Sequence, residues 1–265
     1  MSNKASGKGK NASGGSGPRG KPTPRKGAGV AAAARQPTSR RGTLAGVVVV
    51  VVLVVVIAGF LYQRTRTTPV NNGYGAATTA QVMVTNGVVR VGAANAPVTL
   101  NVFEDFTCPI CGQFEGVYGQ QLVQSLDQGK VAVDYHMLDF LDNRSASKDY
   151  STRAAGAALC VAGDGTGSAF SKFHSALFAP ATQPKENSGS DLSNAQLAKV
   201  AADAGASSAA QQCISSGAKV TAAATAAQAG QSALVASGNP VATPTILEGT
   251  TKIDINNRNW LTSLG

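Results

Sequence analysis

The chain is 265 residues long, is 43% hydrophobic and carries a formal net charge of +9 at pH 7. The excess charge belongs wholly to residues 1–43, which hold ten Lys or Arg and no acid, whereas 44–265 hold thirteen basic and fourteen acidic side chains. A nucleic-acid-binding domain spreads its cations over a folded face, so this distribution argues against nucleic acid as a partner.

Residues 1–43 are rich in Gly, Ser, Pro and Ala. That mixture buries too little apolar surface to offset chain entropy, which predicts a disordered basic tail attracted to anionic lipid. Next comes LAGVVVVVVLVVVIAGFLY, residues 44–62 without a charge. As a helix it would be about 28 Å long, enough to span a hydrocarbon core. A cleaved signal peptide is the competing reading, but its apolar region would be shorter and its basic segment brief. The ten cations before the span, against Arg64 and Arg66 after it, predict a single-pass protein of the cell membrane. Its N-terminus is then cytoplasmic and residues 63–265 extracytoplasmic, where disulfides persist. Residues 63–79 lack periodicity and read as a linker, leaving 80–265 as one domain.

Within the domain, residues 81–84 and 88–92 are short Val-rich strands about Asn86-Gly87, a hairpin signal. Residues 97–106 alternate Val98, Leu100 and Val102 as a central strand. After two cysteines, Phe114, Val117, Tyr118 and Leu122 recur at helical spacing, and 130–138 alternate again as a strand. Strand, helix and strand make a right-handed βαβ unit. The stretch from about 145 to 236 reads as a helical insertion. Phe170, Phe173, Leu177 and Phe178 share one face, and a Ser193–Gln196 capping box opens a helix whose stripe is Leu197, Val200, Ala201 and Ala204 and which stops at Gly205. Residues 217–238 form one more alanine-rich helix. Two strands (243–249 and 251–255) and a short helix close an α/β fold.

The four cysteines are Cys108, Cys111, Cys160 and Cys213. A four-thiolate zinc site usually brings two short-spaced pairs, and only one is present. A Cys160–Cys213 disulfide is the simpler reading for an oxidising compartment, with two buried free thiols as the alternative. Cys108 and Cys111 lie where strand becomes helix. Pro109 suits the first helical position, which places Cys108 among unpaired N–H donors and the positive end of the helix dipole. Both favour a thiolate, the form that attacks or leaves. Cys111, one turn in, is expected to be the more buried. An inert staple is the other reading, disfavoured because so short a loop gains little from closure.

FEDFTCPICGQFE, FSKFHSALF and VATPTILEG together resemble the DsbA-like thiol–disulfide oxidoreductases of the thioredoxin fold, over roughly 80–265. The resemblance implies a thioredoxin fold with a helical insertion and catalysis by Cys108 and Cys111. It also implies a cis proline at Pro244 beside them, with Thr243 pairing to an extended substrate chain and Pro109 and Ile110 lining the site. Two departures stand out. DsbA carries a histidine between its cysteines, and here Ile110 stands instead, which predicts a potential between about −120 and −270 mV. The family's buried carboxylate, six residues before the first cysteine, is Val102 here. Glu104 or Asp105 is left to relay protons for Cys111, with ordinary solvation of both as the alternative.

His174 reads as a surface or packing residue and His136 as a strand residue near the site, neither of them catalytic. Phe106, Thr107 and Val241 line an apolar substrate groove or pack in the core. The expected activity is donation of the Cys108–Cys111 disulfide to reduced or unfolded proteins without a cofactor or metal. Reoxidation would come from a quinone-linked membrane partner of the DsbB or vitamin-K-epoxide-reductase type. A reductase or isomerase of the same fold, or a non-catalytic peptide-binding module, are the alternatives.

Overall fold

The computed structural model describes residues 74–264. The predicted tail (1–43), the membrane span (44–62) and the linker up to residue 73 lie outside these residues. Among the described residues, no helix is long and apolar enough to cross a membrane.

A six-stranded sheet forms the frame. Strands β1 (Val82–Thr85) and β2 (Val88–Val91) make an antiparallel hairpin about Asn86 and Gly87, at φ +52° and +77°. Two consecutive left-handed residues are what a tight two-residue turn requires. Strands β3 (Val98–Glu104) and β4 (Val131–Met137) run parallel, with Leu100 opposite Val133 and Val102 opposite Tyr135. Parallel strands need a crossover, and α1 (Pro109–Asp127) supplies it. Strands β5 (Thr245–Glu248) and β6 (Thr251–Lys252) add antiparallel to the free side of β3, giving the order β1-β2-β4-β3-β5-β6. The final strand is shorter than the predicted 251–255, although Ile253 N–H still donates to Ile246 O at 2.9 Å. The predicted C-terminal helix is a single 3₁₀ turn, Leu261–Ser263, after the buried Trp260.

Between β4 and β5 lies the helical insertion: α2 (Tyr150–Ala162), α3 (Gly167–Phe178), α4 (Asn194–Asp203), α5 (Ser208–Ser215) and α6 (Val220–Ala236). The short α5 was not singled out by periodicity, since eight residues hold too few apolar positions to show a period. The Ser193–Gln196 capping box is formed in both directions. Small side chains on α2 let α6 pack closely: a Cβ added at Gly156 would lie 3.1 Å from Val220 N. Phe170, Phe173, Leu177 and Phe178 of α3 are all buried, each stabilising the fold by about 1.5–3 kcal/mol. Cys160 of α2 is bonded to Cys213 of α5, S–S 2.00 Å and Cα–Cα 5.9 Å. These folded elements make an α/β domain whose helical insertion meets the end of β3 and the start of α1, His174 at Glu104 and Gln183 at Cys108.

Candidate active site

The turn after β3 carries the reactive sulfur. Cys108 is the N-cap of α1, with extended backbone (φ −72°, ψ 116°), and Pro109 follows at the first helical position. Gly112 N–H donates to Cys108 O at 3.3 Å, closing the first helical turn. Cys108 is 6% exposed and Cys111 0%; both are free thiols. Ile110, by contrast, is 49% exposed at the lip of the site. Across from the pair runs the loop before β5, where the Thr243–Pro244 bond is cis and Thr243 O accepts from Cys108 Sγ at 3.6 Å.

The two sulfurs are driven apart chemically. The Cys108 thiol titrates at about 6, held down chiefly by a hydrogen bond from Cys111 and then by Thr243 and the backbone N–H groups of Cys111 and Ile110, against the opposing cost of burial. The Thr243 hydroxyl is buried with no other partner, which leaves it to donate to the Cys108 thiolate. Burial pushes the Cys111 thiol well above its ordinary value, and the Cys108 hydrogen bond and the charge of Glu104 push the same way. One sulfur therefore ionises readily and the other holds its proton.

Two side chains fix this turn: Asp105, expected from the sequence as a proton relay, and Gln183, which no sequence pattern singles out. The Asp105 carboxylate accepts from Thr107 N–H (2.8 Å), Leu141 N–H (3.0 Å) and the Ser151 hydroxyl, while its backbone oxygen accepts from Cys108 N–H at 2.9 Å. Burial raises Asp105 to about 7 against these bonds. From the loop after α3, Gln183 Nε2 donates to Cys108 O (2.9 Å) and Phe106 O (3.3 Å). Asp105 thus braces the turn from below and Gln183 from the insertion.

Glu104, at the end of β3, is 2% exposed and Asp105 0%, so ordinary solvation of this acid pair is excluded. Glu104 Oε2 lies 3.1 Å from His174 Nε2, and His174 Nδ1 lies 3.8 Å from Glu115 Oε2. His174 is not a surface residue: it sits in a nest of rings with Tyr135 at 4.6 Å and Phe178 at 5.1 Å. Its position was legible, since it falls four residues after Phe170 and four before Phe178, inside the apolar stripe. Glu115 likewise falls four residues after Cys111, on the buried face of α1. Burial raises Glu104 well above the carboxylate range and Glu115 to about 8, the charge of Glu104 adding to the latter, and lowers His174. Among the described residues this trio is the group whose ligand atoms come close enough together (within 4.8 Å) to suggest a metal. The 3.1 Å contact from carboxylate to imidazole has hydrogen-bond length.

Phe106 and Thr107 are buried, Phe106 against Phe178 at 4.9 Å and Thr107 by its hydroxyl at 2.7 Å from Ser151 Oγ. Packing, not groove lining, is their role. Val241 packs on a small cluster of Phe103, Leu138, Leu234 and Leu247. His136 stacks on Phe103 at 4.3 Å and bonds Asn101 Oδ1 at 3.0 Å. Beside Pro109 an open cleft of about 470 Å³ is walled by Gly112, Phe178, Pro180 and Gln183.

This arrangement, a thiolate-forming cysteine capping a helix after a parallel strand and facing a cis-proline loop, has counterparts. A domain model described as thioredoxin matches residues 84–262. The serine/threonine-protein kinase PknE of Mycobacterium tuberculosis is 39% identical over 184 residues, 69% of this chain and 32% of PknE. The chain thus spans about a third of the length of the curated relatives it matches. DsbA from M. tuberculosis, in its reduced form, superposes with a TM-score of 0.54 at 34% identity, covering 63% of this chain and 85% of that one. MdbA, a thiol-disulfide oxidoreductase from Corynebacterium diphtheriae, superposes at 0.63 with 23% identity over 71% of this chain and 95% of its own, a likeness of fold. From residue 84 to 262 the chain belongs to the thioredoxin family, and its fold is similar to that of the DsbA-type thiol–disulfide oxidoreductases.

Proposed function

We propose that the protein is an extracytoplasmic thiol oxidase, anchored through residues 44–62, which donates the Cys108–Cys111 disulfide to folding secreted or membrane proteins. The observation that carries this reading is the opposed ionisation of the two sulfurs at the N-terminus of α1. A substrate thiolate attacks Cys108 Sγ, the S–S bond breaks and its electron pair leaves on Cys111, which takes up a proton. A second substrate thiolate then attacks the substrate-side sulfur of the mixed disulfide and expels Cys108. Cys108 leaves as a thiolate that needs no proton at neutral pH, which makes it the better leaving group. Two electrons pass from the substrate dithiol to the protein. The backbone at Thr243 offers an edge for an extended substrate chain, and Pro109 and Ile110 form the exposed lip it crosses.

Glu104 exchanges a proton with Cys111 in this reading, which the influence of its charge on that thiol supports. Asp105 spends its oxygens on the turn. The Cys160–Cys213 bond supports an oxidising compartment. Reoxidation falls to a quinone-linked membrane protein of the DsbB or vitamin-K-epoxide-reductase type, and the basic tail rests on anionic lipid. Trapping thiols by alkylation in intact cells tests the direction. A Cys108–Cys111 pair found mainly oxidised at steady state supports the oxidase; a pair found mainly reduced makes the protein a reductase.

A further inference from the structure

Donation of the disulfide leaves Cys111 as a thiolate at 0% exposure, in a place where water does not reach it and where burial disfavours the charge. The proton it needs has to come through the protein. Near Cys111 lie three buried groups from three elements: Glu104 of β3, Glu115 of α1 and His174 of α3, with side chains 2%, 7% and 4% exposed. Glu104 faces both sulfurs electrostatically. Its second oxygen and one oxygen of Glu115 have no donor, and the two carboxyls act on each other. Unpaired acceptors without a nearby donor call for protons between them.

His174 presents one ring nitrogen to each acid, 3.1 Å to Glu104 and 3.8 Å to Glu115. An imidazole that gains a proton on one nitrogen and releases one from the other transfers it without turning. Tyr135 of β4 packs on the same ring, but burial and the two glutamates push its phenol far above neutrality, so it keeps its proton and is not an acid in the relay. Beyond the trio a cavity of about 140 Å³ is lined by Glu115, Gln120, Tyr135 and His174, and its wall reaches the surface at Gly116.

We propose that Glu104, His174 and Glu115 form a proton conduit, leading from Cys111 to this cavity, that reprotonates the leaving sulfur. The inference rests on the oxidase reading and adds a route to it. Each turnover moves one proton: Glu104 gives its proton to the Cys111 thiolate, the trio shifts by one, and Glu115 or His174 takes a replacement from water in the cavity. No electron moves in these steps. His174 acts through Glu104 and is a relay residue. Because Glu115 titrates at about 8, the store empties above that pH.

The test measures oxidation of a dithiol peptide by the oxidised full-length protein in detergent, from pH 6 to 9, after EDTA treatment. Wild type has to turn over; if it does not, the oxidase reading fails first. His174→Ala is expected to slow the reaction by about 10-fold at pH 8, less than a general acid touching the reacting atom. Imidazole entering the cavity should restore the rate, while pyrazole, which has the same shape but is too weak a base to carry the proton, should not. Full activity of the variant, rescue by both compounds, or rescue by neither overturns the conduit. Glu115→Gln, close to isosteric, provides a second arm: it should lose rate above pH 7 while iodoacetamide alkylation of reduced Cys108 keeps its pH midpoint. An unchanged rate, or a midpoint that moves with it, also overturns the proposal. So does a wild-type rate that depends on EDTA, which would make the trio a metal site.

Discussion

Acidifying the reduced protein from pH 8 to pH 5 separates this site from an ordinary cysteine. A thiol titrating at about 6 is about 99% ionised at pH 8 and about 9% at pH 5, a fall of roughly 11-fold. A free cysteine with a pKa of about 8.5 falls roughly 760-fold over the same interval. The assay is the alkylation rate of the full-length protein with iodoacetamide, followed by peptide mass so that Cys108 is read apart from the inaccessible Cys111. The folded value lies below the unfolded one, so the thiolate stabilises the reduced protein. That stabilisation is fully present above the unfolded pKa and is lost as the pH falls through 6. At pH 7 it amounts to at most about 1.4 kcal/mol, or about 30 mV in a two-electron couple. A Cys108 profile that follows an ordinary thiol would refute the assignment of Cys108 as the attacking and leaving sulfur.

Three further outcomes follow from the same geometry. Ile110→His puts an imidazole on the exposed lip two residues from Cys108 and should raise the reduction potential; a glutathione titration giving an equal or more negative value removes that explanation. Replacing Cys160 and Cys213 together by Ala opens a loop with a sequence separation of 53 and should lower stability in urea by about 4 kcal/mol on the chain-entropy account, whereas an unchanged midpoint would make the bond energetically idle. Asp105→Asn turns one acceptor oxygen into a donor facing Leu141 N–H or its neighbours, and should cost about 1–3 kcal/mol in urea unfolding. A wild-type midpoint in that variant would show that the turn does not depend on the carboxylate.

What was legible in the chain was whatever local chemistry decides. The hairpin followed from Asn86-Gly87, because only such residues accept two left-handed conformations. The helix start followed from Pro109, and the burial order of the cysteines from one helical turn. The groups that surround the sulfurs were harder to see, because they converge from distant elements. Gln183 reaches the turn from a loop 75 residues away in sequence from Cys108, and Ser151 meets Asp105 from 46 residues away; neither leaves a periodic trace. Glu115 and His174 did leave one, as polar residues set within apolar stripes. Their hydropathy masks them when a stripe is read by its Phe and Leu members alone.

The central claim is transfer of the Cys108–Cys111 disulfide to another protein. Its most direct measurement incubates the oxidised full-length protein with an equimolar reduced, unfolded dithiol protein and counts thiols on both by mass. The account predicts that wild type loses its disulfide as the partner gains one, through a mixed disulfide at Cys108, and that Cys108→Ser transfers nothing. Transfer by that variant at the wild-type rate, or none by wild type, would contradict it.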